Sequence, residues 1–312
     1  MIRKFILKVC IIIVLPCAVF FTVHEMMCRA IPNSYSLKNR FLSDSAQNIK
    51  VLILGSSHSY FGINPRYFDL YSFNAANVSQ SFDYDKAILN KFWGKMPNLR
   101  YLIIPMSVFS PYTNLSGGIE SWRERKYKAY YHIYRGILDF SKNDFETEIG
   151  SRMCYEYYCL HQDFSHCSHL GFGEAYEVND NKDLEKSGVV AAKRHSVDIE
   201  NSKDIYEENV KHIEEIVDLA RTNHVKVIFI TTPAWQSYRS GVSKAQYEGM
   251  IRFTDTFVCL DPANIVYLNM FSDSRFTEED FFDADHMCGK GAEKLSKILN
   301  DTIPKIFPAP KL

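Results

Sequence analysis

Blocks of two hydrophobic periods follow one another along this chain. Residues 5–23 are almost continuously apolar, broken chiefly by Lys8. At 1.5 Å of rise per residue, about 19 residues approach the span of a bilayer core, so a membrane helix is expected here. Pro16 would kink it, which membrane helices tolerate. Short apolar runs come next. The run 49–54 stops at Gly55, 71–74 is a brief second strand and 100–105 a third. The run 225–231 is a nearly continuous apolar strand ended by Thr232 and Pro233, and 265–268 is the last. Between them the spacing turns helical. Ala87, Ile88, Leu89 and Phe92 mark one helix, and Ile205, Val210, Ile213, Val217 and Ala220 share one face of another. Residues 291–299 form a closing helix. Apolar strands alternating with helices predict a parallel sheet covered on both faces. Active sites of such sheets lie beyond the carboxyl ends of the strands, so the loops after Leu54, Asn74, Pro105 and Thr231 belong to one rim.

The stretch 114–202 breaks this rhythm and reads as a mainly helical insertion. It carries Trp122-Arg123-Glu124-Arg125-Lys126, the tyrosines Tyr127, Tyr130, Tyr131 and Tyr134, and a polar loop at 179–183. Its tyrosines are either core or a stacking surface for a carbohydrate or lipid-linked substrate. The organisation expected is a membrane anchor over 1–25, a linker over 26–48 and an α/β domain over 49–308 that holds the insertion.

Charge sharpens the picture. Arg3, Lys4 and Lys8 open the apolar segment, so the positive-inside rule puts the N-terminus in the cytoplasm and the α/β domain outside. A cleaved signal peptide is the rival; the bulky sequence Val23-His24-Glu25-Met26-Met27-Cys28 lacks a small-x-small site. The net charge of −1 gives no basic field for nucleic acid. Eight cysteines are present, with Cys154, Cys159 and Cys167 grouped in the middle. An exported domain would allow a disulfide within that group. Zinc would need the same cysteines with His161, His166 and His169, but the spacing fits no common zinc pattern, and neither metal nor cofactor is expected.

Candidate chemistry lies at the two ends of the α/β part. Gly55-Ser56-Ser57-His58-Ser59 follows the first strand, and Asp283-Ala284-Asp285-His286 precedes the last helix. A serine hydroxyl needs a histidine in reach to take its proton, and that histidine needs a carboxylate to orient it. Ser57, His286 and Asp283 can supply that set. Ser56 and Ser59 are the rival serines. Asp285, adjacent to the histidine in sequence, is expected to point elsewhere. His58 reads as a packing or hydrogen-bonding residue. His195 either reaches the site or lies in a solvated basic turn.

The phrases 54–65 (Leu-Gly-Ser-Ser-His-Ser-Tyr-Phe-Gly-Ile-Asn-Pro) and 282–287 (Phe-Asp-Ala-Asp-His-Met) give the chain a resemblance. It resembles the SGNH (GDSL-type) hydrolase superfamily. More narrowly, it is similar to a membrane-anchored bacterial envelope branch with relatives of alginate O-acetylation and D-alanyl-lipoteichoic acid transfer proteins. The resemblance covers about 49–112 and 204–305, not the insertion. It implies a flavodoxin-like α/β/α sandwich with Ser57 as nucleophile, His286 as base and Asp283 as orienting acid. The superfamily's oxyanion donors include a Gly after the second strand and an Asn after the third. Both are missing here, leaving the Ser79 backbone N–H and the Asn77 and Ser107 side chains as candidates. The function implied is a serine esterase or O-acetyl transferase acting on envelope polysaccharide, with a membrane partner to deliver the acyl group if it transfers. The alternative is an inactive relative serving in glycan binding or envelope assembly.

Overall fold

A computed structural model describes residues 2–134, 145–178 and 183–308. The chain divides into two compact units, one of residues 1–37 with 122–165, the other of residues 38–121 with 166–312. The insertion expected over 114–202 is therefore split: 122–165 groups with the N-terminal segment, and 166 onward groups with the sheet. Residues 179–182 of the polar loop lie outside the described residues.

The larger unit is built on a five-stranded parallel sheet: β1 (Val51–Ile53), β2 (Ser72–Asn74), β3 (Tyr101–Pro105), β4 (Lys226–Thr231) and β5 (Ile265–Asn269). Their order is β2-β1-β3-β4-β5, with Val51 opposite Tyr101 and Ile103 opposite Ile228. This is the flavodoxin-like order, which reverses beside β1. Residues two apart on a strand share a face. Val51, Ile53, Ile103, Ile228 and Ile230 accordingly pack with Ala292, Leu295, Leu299 and Ile303 of the closing helix Gly289–Ile306. On the opposite face Phe229 meets Phe257 of the helix Lys244–Leu260, and Phe253 of that helix stacks on Phe82. The outcome is an α/β/α sandwich. Leu295 and Leu299 are fully buried. Truncating either to Ala removes transfer energy and leaves a cavity, costing about 2–5 kcal/mol.

The smaller unit is helical. Residues 26–48, expected as a linker, fall largely in the helices Leu15–Ala30 and Ser34–Asp44, the second of which runs on past the unit's boundary at Leu37. One helix, Ile11–Ala30, is long and apolar enough to cross a membrane. The tyrosines resolve toward the core reading. Tyr127, Tyr130 and Tyr131 are buried, and Tyr35 meets Tyr127 edge-on at 5.2 Å; only Tyr134 is exposed. The helix Thr147–Tyr158 packs along Leu15–Ala30.

Candidate active site

β1 runs into Gly55, whose φ of +104° turns the chain sharply. A Cβ here would stand 1.9 Å from the Pro105 ring, so glycine is required both for the turn and for the approach of β3. Ser56 is extended, and a short helix, Ser57–Tyr60, begins at once. Every residue from Val51 to Ile63 is buried except Ser57, which is half-buried. The turn thus presents one hydroxyl and hides its neighbours, including the rival serines Ser56 and Ser59.

Residues of β2 and of the segment that follows it, as far as the helix Phe82–Phe92, brace this turn. Asp85 Oδ1 accepts the Gly55 N–H at 2.8 Å and the Gln80 amide at 2.6 Å. Burial pushes the Asp85 carboxyl up to about 7, because its ionised form has little solvation to gain there. Asn74 Nδ2 donates to the carbonyls of Ser59 and Ile63, both at 2.8 Å. The Asn77 N–H donates to the Gly55 carbonyl.

The histidine beside Ser57 arrives from the other end of the chain. A small antiparallel pair, β6 (Phe281–Asp283) and β7 (His286–Met287), carries the Asp-x-x-His sequence just before the closing helix. Asp283 Oδ1 accepts the backbone N–H groups of Asp285 at 3.1 Å and His286 at 2.8 Å, so the carboxylate shapes its own loop. The same oxygen lies 2.9 Å from His286 Nδ1, and His286 Nε2 lies 2.9 Å from Ser57 Oγ. A carboxylate can only accept, so Nδ1 carries the proton and Nε2 turns its lone pair to the serine. Burial lowers the affinity of His286 for a second proton, but the carboxylates of Asp285 and Asp283 outweigh it and raise its pKa above the ordinary value. Sequence reasoning proposed Ser57, His286 and Asp283, and the fold brings the three together across 229 residues of chain.

Asp285 does not point elsewhere. It is buried, with Oδ2 3.7 Å from His286 Nδ1, 3.5 Å from His58 Nε2 and 3.8 Å from His195 Nδ1, and it accepts from Arg194 at 3.2 Å. Burial alone would raise its pKa; the surrounding imidazoles outweigh that and hold the carboxyl well below the usual range. His195 therefore reaches the site rather than a solvated turn. Its Nδ1 is 2.8 Å from the Tyr238 hydroxyl, and burial lowers its pKa to about 3. His58 is likewise kept neutral by burial. Facing the acceptor Asp285 through Nε2, His58 accepts the Ser107 hydroxyl through Nδ1 at 2.7 Å.

That geometry bears on the expected oxyanion donors. The Ser107 hydroxyl proton is spent on His58. The Asn77 amide donates to Gln80 Oε1 at 3.0 Å. Ser107 is therefore not a spare donor in this arrangement, whereas the Asn77 amide keeps a second N–H beyond the one given to Gln80. Ser79 donates its hydroxyl to Glu120 at 2.7 Å, and its φ of +59° sets the direction of its own backbone N–H.

Beside the triad an open cleft of about 360 Å³ is lined by Lys186, Ser187, Val190, Arg194, Asp283 and Asp285. Across the base, the Tyr176 ring stacks on Phe61 and on Phe282, each at 3.9 Å, and meets the His286 ring edge-on at 5.3 Å. His58, His195 and Asp285 approach closely enough to ligate a cation, as do Asp283, Asp285 and His286. In both sets hydrogen bonds to Arg194, Tyr238 and Ser57 already occupy the donor atoms. Of the cysteines weighed for zinc, Cys159 is exposed and Cys154 and Cys167 fall in different units, while Cys154 comes close enough to His24 and Cys28 to share a cation. The parts sequence reasoning missed are Asp85, Arg194, Tyr176 and Tyr238. None sits in a recognisable motif.

No family model and no curated protein matches the sequence. Solved structures similar to the chain include a candidate platelet activating factor from Streptococcus pneumonia, at 11% identity and TM-score 0.44 over 93% of this chain and 97% of that one. A candidate acylhydrolase from Bacteroides fragilis shows 12% identity and TM-score 0.40 over 87% and 94%. A carbohydrate acetylesterase family member from Sinorhizobium meliloti shows 8% identity and TM-score 0.37 over 84% and 100%.

Proposed function

We propose that the chain is a serine esterase or O-acyl transferase that works at the cell envelope, held to the membrane by its N-terminal helix. The observation that carries the reading is the hydrogen-bond chain Ser57–His286–Asp283, with 2.9 Å at each link. His286 Nε2 takes the Ser57 proton as Oγ attacks an ester carbonyl. Asp283 holds the ring and stabilises the imidazolium that forms. His286 then gives that proton to the departing alcohol, leaving an acyl-serine. A water, or the hydroxyl of an acceptor glycan, next attacks the acyl carbon and loses its proton to the same nitrogen, which returns it to Ser57 Oγ as the acyl–serine bond breaks. The backbone N–H groups of Ser57 and Ser79 are the oxyanion donors we assign. With the Ser107 hydroxyl engaged by His58, the second N–H of the Asn77 amide is the remaining side-chain candidate, and one such donor is worth about 10²–10³ in rate.

The basic residues Arg3, Lys4 and Lys8 support an orientation with the N-terminus in the cytoplasm and the sheet-bearing unit outside, among envelope polysaccharides. Acyl transfer would require a membrane partner to supply the donor, since one helix among the described residues is long and apolar enough to span. The test is p-nitrophenyl acetate turnover by the full chain in detergent, with and without glycan acceptor. Ser57→Ala and His286→Ala should both abolish it, and diversion of acetyl to the glycan would identify a transferase. Full activity in Ser57→Ala overturns the reading.

A further inference from the structure

The smaller unit holds a feature that the proposed reaction does not use. Cys28 and Cys154, 126 residues apart in sequence, are both buried, and their sulfurs lie 3.2 Å apart. Cys28 sits in the last turn of the helix Leu15–Ala30, and Cys154 in the middle of Thr147–Tyr158. The approach is built rather than incidental. Gly150 lies one helical turn before Cys154 on the same face, and a Cβ there would stand 2.4 Å from the Cys28 sulfur. Any larger residue at 150 would push the helices apart. Ile31, Met153, Tyr157 and Phe164 pack around the pair, and His24 Nδ1 lies 3.8 Å from the Cys28 sulfur. Two polar ties fix the register on either side: the Tyr158 hydroxyl donates to the Met27 carbonyl at 3.1 Å, and the Glu146 N–H donates to Glu25 at 3.1 Å.

We propose that Cys28 and Cys154 form a disulfide in the mature protein, clamping the C-terminal turn of the anchor helix to the helix Thr147–Tyr158. A disulfide needs its sulfurs at about 2.05 Å, so closing the gap asks about 1 Å of movement, within the reach of two χ1 rotations. The pairing differs from a bridge inside the Cys154, Cys159, Cys167 group. Cys159 is exposed at the end of the helix that holds Cys154, and Cys167 belongs to the other unit. The step is a two-electron oxidation. The two thiols lose two protons and two electrons, and the disulfide of a thiol–disulfide oxidoreductase gains them and becomes a dithiol. Such oxidants act outside the cytoplasm. The proposal therefore rests on the outward orientation of the anchor's C-terminal end, and not on the chemistry at Ser57.

The test uses the full chain in its own membranes, with Cys159→Ser and Cys167→Ser introduced so that the peptide carrying Cys154 has a single thiol. Free thiols are blocked with N-ethylmaleimide before lysis, and the digest is read by mass spectrometry with and without reductant. The expected result is one cross-linked peptide pair, Cys28 with Cys154, lost on reduction. Cys28→Ser should leave Cys154 fully alkylated, and Cys154→Ser should do the same to Cys28. Alkylation of both thiols in the unreduced parent overturns the proposal, as does a zinc ion that copurifies with the two thiols and shields them. A second sample, purified in detergent and treated with glutathione disulfide, tells two failures apart. If the bridge forms there but not in membranes, the orientation is wrong. If it forms in neither, the pairing is wrong.

Discussion

Two serine–histidine–aspartate chains lie side by side in the larger unit, their imidazole rings 5.2 Å apart. One is Ser57–His286–Asp283, the other Ser107–His58–Asp285. They use the same residue types and differ in environment. Ser57 is half-buried, whereas Ser107 is buried. His286 is drawn toward its protonated form by two carboxylates, and His58 is held neutral by burial. The Asp283–His286 contact is 2.9 Å, while Asp285 stands 3.5 Å from His58 and divides its charge among His58, His195, His286 and Arg194. A general base must both reach substrate and stabilise a proton. Only the first chain meets both conditions. Residue identity is thus a weak guide to a catalytic role here; access and the sign of the local field decide.

The widest separation between the chains should come from their serines. Ser57→Ala is expected to lower esterase kcat by roughly 10⁴-fold or more, and Ser107→Ala by no more than about 10-fold. Parallel circular dichroism would show that both variants fold. Equal losses would dissolve the distinction.

The carboxylates should separate next. Asp283→Asn permits the wrong tautomer of His286 and should cost about 10³–10⁴ in kcat. Asp285→Asn should cost far less at its optimum and instead move the acidic limb. A base works in its neutral form, so activity rises with pH through the raised pKa of His286. Removing the Asp285 charge lowers that pKa, and the limb of kcat/KM should shift to lower pH by about one unit. Ser107→Ala should leave the limb in place. A limb unmoved in Asp285→Asn would mean that Asp285 serves His58 alone.

The smallest effect belongs to the scaffold that both chains share. A carboxyl whose pKa is raised on folding favours the fold below its unfolded value and loses that advantage as pH rises. For Asp85 the loss runs from about 4 to about 7. Asp85→Asn keeps an acceptor for the Gly55 N–H without an ionisable group. Its stability relative to the parent should grow from pH 4 to pH 7 and then level off, with a total change on the order of a few kcal/mol. Chemical denaturation at several pH values would measure it, and a pH-independent difference would refute the role given to Asp85.

Much of the sheet was legible in the sequence because buried parallel strands are continuous apolar runs, as at Val51–Ile53 and Lys226–Thr231. The meeting of Ser57, His286 and Asp283 was legible for a different reason. Glycine before the serine and aspartate three residues before the histidine are local demands of turn geometry, and local demands leave short motifs. Asp85, Arg194 and Tyr176 left none, since their roles arise only when distant loops meet. Asp285 was misjudged by treating adjacency in sequence as divergence in space. The β6–β7 bend, held by Asp283, keeps both Asp285 and His286 facing inward. Residues 26–48, expected as a linker, are largely helical: 26–30 continue the apolar helix Ile11–Ala30, and 34–44 form a helix too irregular in its pattern for a clear amphipathic stripe.

Ser57 is the one partly accessible residue of an otherwise hidden stretch, and the histidine bonded to it comes from 229 residues further along the chain. A nascent chain released before β6 and β7 would carry the hydroxyl without that imidazole. If Ser57 is the nucleophile proposed above, covalent capture by an organophosphonate would act as a census of completed molecules, blind to truncated and half-folded ones.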